Sequence, residues 1–149
     1  MKIKAILLGA LLLLTFVSIA QNKEYTEYYD NGQLKTSGFK TPSGKNAGKW
    51  THYYENGNPY IIRSYVNGKI EGEAFSYFEN GNLKSIAYMK NGEPEGQIKT
   101  NYENGKLKSV TTMKGGKMHG EGRLYTENGK LKAITHYLDD MQHGELKTY

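Results

Sequence analysis

Four kinds of side chain recur in this sequence at spacings that could do chemistry. The histidines are His52, His119, His136 and His143, and His119 and His143 stand 24 residues apart. Imidazoles in register are a common way to hold a transition metal. Glu55, Glu79, Glu103 and Glu127 repeat at the same 24-residue interval, and carboxylates in pairs are the groups of general acid–base work. Lys84, Lys108 and Lys132 form a cationic series, with Lys35 ahead of them and Tyr60 in the slot between. Tyr53, Tyr77 and Tyr125 form an aromatic series beside Trp50, Phe75 and Phe78, a composition suited to contact with a protein or a sugar. There is no cysteine, so thiol catalysis and disulfides are excluded.

The regularity of these series argues for architecture before catalysis. Carboxylates that recur just before each Asn-Gly read as turn-flanking surface groups. His119 and His143 occupy equivalent turns one repeat apart, which puts them about 10 Å from each other at strand spacing, too far for one zinc ion. No Ser-His-Asp spacing is present. The glycines do not open a helical pattern, so no phosphate-cradling loop is expected. The expectation is a protein with no catalytic residues, no metal and no cofactor. Its candidate partner surface is the lysine row Lys84, Lys108 and Lys132 with the tyrosine row Tyr53, Tyr77 and Tyr125.

What must position these rows is a repeat. Gly48, Gly72, Gly96, Gly120 and Gly144 are 24 residues apart, as are Gly44, Gly68, Gly92 and Gly116 with Asp140 in the last slot. Asn56-Gly57, Asn80-Gly81, Asn104-Gly105 and Asn128-Gly129 keep the same period, while Asn31-Gly32 lies 25 residues before Asn56-Gly57. A fixed interval of this length is the mark of a repeat architecture. Each unit reads as an aromatic-rich run, Asn-Gly, and an aliphatic run. Asn-Gly between such runs predicts a hairpin with a two-residue type I′ turn. The second connection, with glycines four apart, predicts a wider turn. Five units and a closing strand at Glu145–Tyr149 give about eleven strands. The Leu column (Leu83, Leu107, Leu131) and the Ile column (Ile62, Ile86, Val110, Ile134) are three residues apart. Strict alternation therefore fails, and either a bulge intervenes or both faces are partly apolar.

The chain has 149 residues, so one domain is expected after the leader. Met1 to Lys4 is basic, Ala5 to Ile19 is almost wholly apolar, and Ser18-Ile19-Ala20 precedes Gln21. That is the pattern of a secretory signal peptide, 1–20, with cleavage between Ala20 and Gln21. The apolar run falls short of the roughly 20 residues of a membrane span, so no span is expected after cleavage. Removing Lys2 and Lys4 leaves 18 Lys and Arg against 15 Asp and Glu. The charges are interspersed, which argues against nucleic acid as a partner.

Tyr65-Val-Asn-Gly-Lys-Ile-Glu-Gly-Glu-Ala-Phe-Ser-Tyr77 and Met113-Lys-Gly-Gly-Lys-Met-His-Gly-Glu-Gly-Arg-Leu-Tyr125 resemble MORN repeats. The added Tyr-x-Glu-Asn-Gly-x-Leu-Lys hairpin resembles the bacterial MORN-variant repeat, often labelled an antitoxin component of toxin–antitoxin systems. The resemblance runs from Tyr25 to Tyr149. It implies an all-β fold, tandem antiparallel hairpins of 24 residues in one elongated single sheet over 21–149, here behind a signal-peptide helix. It also implies protein contact and, for some members, phospholipid contact.

These readings lead to an exported, envelope-associated protein of the periplasm or extracellular space, acting as a non-catalytic scaffold for another protein. One alternative is a binder of phospholipid or anionic polysaccharide through the lysine row. A second is an antitoxin or immunity-like protein that neutralises a toxin.

Overall fold

The structure, a computed structural model, describes residues 21–149. The signal helix and the cleavage point at Ala20 and Gln21 lie outside or at the border of those residues. Among the described residues, twelve strands form one antiparallel sheet in chain order. They are β1 (Lys23–Tyr28), β2 (Leu34–Lys40), β3 (Asn46–Tyr53), β4 (Pro59–Val66), β5 (Lys69–Ile70) and β6 (Gly72–Tyr77). The sheet continues with β7 (Leu83–Lys90), β8 (Glu93–Asn101), β9 (Leu107–Lys114), β10 (Lys117–Tyr125), β11 (Leu131–Leu138) and β12 (Met141–Thr148). β5 pairs with β4 alone, and β6 continues along the same arm beyond Glu71. Eleven hairpin arms result, as the repeat count implied.

The two kinds of turn are the reverse of the expectation. Asn56-Gly57 does not form a two-residue turn. Glu55, Asn56 and Gly57 make a three-residue loop, closed by Tyr54 N–H to Asn58 O and Gly57 N–H to Tyr54 O. Gly57 alone of the three has a positive φ. The Asn56 side chain explains the choice, because its Oδ1 accepts the Asn58 N–H at 2.9 Å and closes an Asx turn. The two-residue turns lie instead at Asn67-Gly68, Asn91-Gly92, Gly115-Gly116 and Asp139-Asp140, where both residues have positive φ. That is the signature of type I′. The odd 25-residue interval has its origin here. The first unit uses the three-residue loop Pro42-Ser43-Gly44, closed by Thr41 and Lys45, where later units use two residues.

Two bulges recur in each unit. Ser76 pairs with Ser85 but Tyr77 pairs with Leu83, which leaves Lys84 unmatched. Lys35, Tyr60, Lys108 and Lys132 are left over in the same way. A bulged residue breaks the two-residue alternation, and this one puts Leu83 and Ile86 on one face. The second bulge is marked by Gly48, Gly72, Gly96, Gly120 and Gly144, all with positive φ.

The sheet consequently has two unlike faces, assigned from the strand registers. The leucine face carries the Leu, Ile and Tyr columns, including Ile62, Phe75 and Ile86, which neighbour one another across β4, β6 and β7. The lysine face carries the bulged lysines, Trp50, Arg63, a row of hydroxyls and the column Tyr65, Met89, Met113 and Tyr137. Among the described residues no second layer packs on either face, and the buried apolar side chains are Ala47 and Trp50. Trp50, 4% exposed, lies over Gly38 between Tyr25 and Tyr65. Its Nε1–H donates to Phe39 O at 3.1 Å.

Candidate functional site

Each lysine of the candidate row sits at a bulge. Lys84 and Lys108, like Lys35, lean over the aromatic ring that opens the neighbouring loop, whereas the unit of Lys132 has Thr126 in the ring position. Lys84 Nζ is 5.5 Å from the Phe78 centroid, Lys108 Nζ 5.6 Å from Tyr102, and Lys35 Nζ 5.8 Å from Tyr29. In the second unit Tyr60 takes the lysine's place and packs on Tyr54 at 5.0 Å between centroids. Among the described residues Lys35 is the member of the row that is ion-paired, to Glu27 at 2.7 Å. That hydrogen bond and charge hold the Glu27 carboxyl below its ordinary range. Lys84, Lys108 and Lys132 are not within ion-pair distance of the loop glutamates in the described residues.

The ring column has a structural task as well. Tyr29, Tyr54 and Tyr102 donate their hydroxyls to Tyr53 O, Tyr77 O and Tyr125 O in the next unit, at 2.6–2.8 Å. Phe78 has no hydroxyl to donate. The amides of Asn56, Asn58, Asn80 and Asn82 likewise reach the carbonyls of Glu79 and Glu103. These bonds tie loop to loop along one end of the sheet.

Tyr53, Tyr77 and Tyr125 project on the opposite, leucine face, half-buried beside the Leu column. The structure therefore separates the two candidate rows, lysines on one face and tyrosines on the other. Asn101, which interrupts the tyrosines, donates its amide to Leu83 O at 3.1 Å.

The histidines do not converge as a triad. His136 and His143 are cross-strand partners with ring centroids 6.3 Å apart, a pairing that the 24-residue period gave no reason to expect. His119 faces Asp139 at 3.4 Å. Among the described residues, no group of three His, Cys, Asp or Glu is placed to hold a metal. His52 lies on the lysine face against Thr36 at 3.1 Å. Burial, helped by the Arg63 charge, pushes its imidazole below the ordinary value.

Three features of the lysine face escaped the sequence reading. Ser76 and Ser85 are hydrogen-bonded at 2.6 Å, as are Thr100 and Ser109. Arg63 lies on this face opposite Trp50, and its Nε is buried without a hydrogen-bond partner. A shallow hollow of about 300 Å³ is lined by Phe78, Lys84, Ser85, Thr100, Asn101 and Lys108. The signal available was the bulge, which moves Lys84 onto the side of Ser85.

From the second unit on, each unit is thus one glycine-bulged arm, a three-residue loop and a second arm bulged at a lysine or, in the second unit, at Tyr60. A family model described as MORN repeat variant matches residues 21–39, 47–67, 70–91, 94–114 and 118–139. The chain belongs to the MORN repeat variant family. The MORN segments meet near the short turns, so each spans one three-residue loop and its two arms. The description is of the repeat alone, and the antitoxin expectation finds no support in it. No curated protein matches this MORN chain by sequence. Among solved structures it is similar to the glycosylation-associated protein complex of Streptococcus agalactiae, at 18% identity and a TM-score of 0.40. The alignment covers 70% of this chain and 19% of that one, and so distant a likeness carries no argument about function.

Proposed function

We propose that this MORN protein is an exported, non-catalytic scaffold that holds another protein against its leucine face. The observation that carries the reading is the bulge at Lys84 and its equivalents. It gathers the Leu, Ile and Tyr columns on one side of a sheet that has no second layer over the described residues. Phe39, Val66, Tyr88 and Leu138 project from that side and are 45–57% exposed. Large apolar side chains grouped on one surface mark contact sites, and aromatic anchors dominate such contacts. Export rests on the leader at 1–20, and a mature chain beginning at Gln21 in the envelope fraction is the result that supports it.

The test is capture from the envelope fraction at low and high salt, with two variants. Tyr88→Ser with Val66→Ser removes exposed contact area and leaves the half-buried columns intact. One protein held at high salt by the wild type and lost by this variant supports the reading. The lysine variant Lys84→Gln with Lys108→Gln keeps that partner. Equal capture by the wild type and the Tyr88 and Val66 variant contradicts it.

A further inference from the structure

We infer that the lysine face is a second binding surface, for a linear anionic polysaccharide lying across the strands. This goes beyond the protein contact proposed for the leucine face and does not depend on it.

The first ground is segregation of charge. Lys35, Arg63, Lys84, Lys108 and Lys132 place at least one cation on this face in every unit, and Lys23 and Lys40 add two in the first. Glu27 is the one carboxylate that the described strands put there, and Lys35 pairs with it. The carboxylates of β6, β8 and β10, such as Glu73, Glu95 and Glu121, fall on the leucine face. The loop carboxylates Glu55, Glu79, Glu103 and Glu127 stand beyond the strand ends.

The second ground is spacing. Equivalent lysines are two strands apart, about 10 Å, which is the reach of about two sugar residues. A polymer with an acidic group on at least every second sugar meets Lys84, Lys108 and Lys132 in turn. A free anion or a single lipid headgroup gains nothing from that interval.

The third ground is what lies around Lys84 and Lys108. Phe78 and Tyr102 sit beside Lys84 and Lys108, and a ring face is a platform for the C–H side of a pyranose. Ser76–Ser85 and Thr100–Ser109 offer hydroxyls next to the same lysines. The hollow bounded by Lys84, Lys108 and Phe78 is open, as a polymer site must be. Arg63, with an unpartnered Nε, supplies the cation in the unit where Tyr60 replaces lysine.

The experiment measures retention of the full protein on immobilised polygalacturonate, a uniform uronic acid chain, and on neutral dextran as control. Phosphatidylglycerol vesicles are the lipid arm and single-stranded DNA the nucleic-acid arm. Lys84→Gln, Lys108→Gln and Lys132→Gln together are compared with Lys99→Gln, Lys114→Gln and Lys147→Gln. The two sets remove equal charge from opposite faces, and circular dichroism checks that both keep the sheet. The expected result is at least a tenfold weaker hold on polygalacturonate for the first set and less than a twofold change for the second. Binding should also strengthen steeply as uronate oligomers lengthen from two to six residues. Equal loss in both sets, equal binding to DNA, binding to vesicles alone, or no binding to the polymer overturns the inference.

Discussion

Replacing Gly38 by alanine should clash with the Trp50 indole, the large side chain buried in the sheet. A methyl built on Gly38 meets Cδ2 and Cε2 of the Trp50 indole well inside contact distance and stands 2.7 Å from its Cγ. These atoms belong to a rigid ring wedged beside Tyr25 and Tyr65, so no flexible tail can give way. Overpacking of this kind costs about 1–3 kcal/mol. Alanine in place of glycine in a strand returns about 0.5–1 kcal/mol, so Gly38→Ala should destabilise by up to about 2.5 kcal/mol. Trp50→Ala removes the ring and should itself cost about 3–5 kcal/mol. In that background the sign reverses, and Gly38→Ala becomes stabilising by about 0.5–1 kcal/mol. The coupling between the two sites is then the strain itself, about 1–3 kcal/mol. Urea unfolding of the four proteins, followed by circular dichroism, measures it. The reasoning is refuted if Gly38→Ala costs the same with and without the indole.

Other changes test the turns and ties. Phe78→Tyr supplies the hydroxyl that Tyr29, Tyr54 and Tyr102 use to reach the next unit, and thermal unfolding should show a gain of about 0.5–1.5 kcal/mol. Gly92→Ala has open space around its new methyl but keeps a φ of +92°, so it should lose about 1–2 kcal/mol from backbone strain alone. Replacing Pro42-Ser43-Gly44 by Asn-Gly restores the 24-residue period and should leave a folded sheet of unchanged dichroism. His52 has a folded pKa below its unfolded value, so its contribution is present above the unfolded pKa, near 6.5. That contribution is lost as pH falls toward the folded value, and His52→Gln should flatten this part of the stability profile.

The repeat was legible because glycine and asparagine were held at fixed positions by turns and bulges that accept few other residues. Which turn each dipeptide makes was not legible. Asn56-Gly57 and Asn67-Gly68 are the same two letters. The difference lies in Asn56 Oδ1 capturing the Asn58 N–H and in the register set by the bulge at Tyr60. The three-residue offset between Leu83 and Ile86 signalled a bulge or two apolar faces, and only strand pairing decided for the bulge. The candidate lysines and tyrosines were found as rows. Their placement on opposite faces was hidden, because one unmatched residue per unit reverses the parity that alternation alone supplies. Arg63 was missed because it replaces Lys84 in role but not in sequence position.

The central claim is that the leucine face meets a protein, and a photo-crosslinking residue placed at Tyr88 tests it most directly. In cells, that position should yield one discrete protein adduct that survives high salt during recovery, while the same residue at Lys108 yields none of that adduct. No adduct from position 88, or the same protein captured from position 108 instead, would contradict the account.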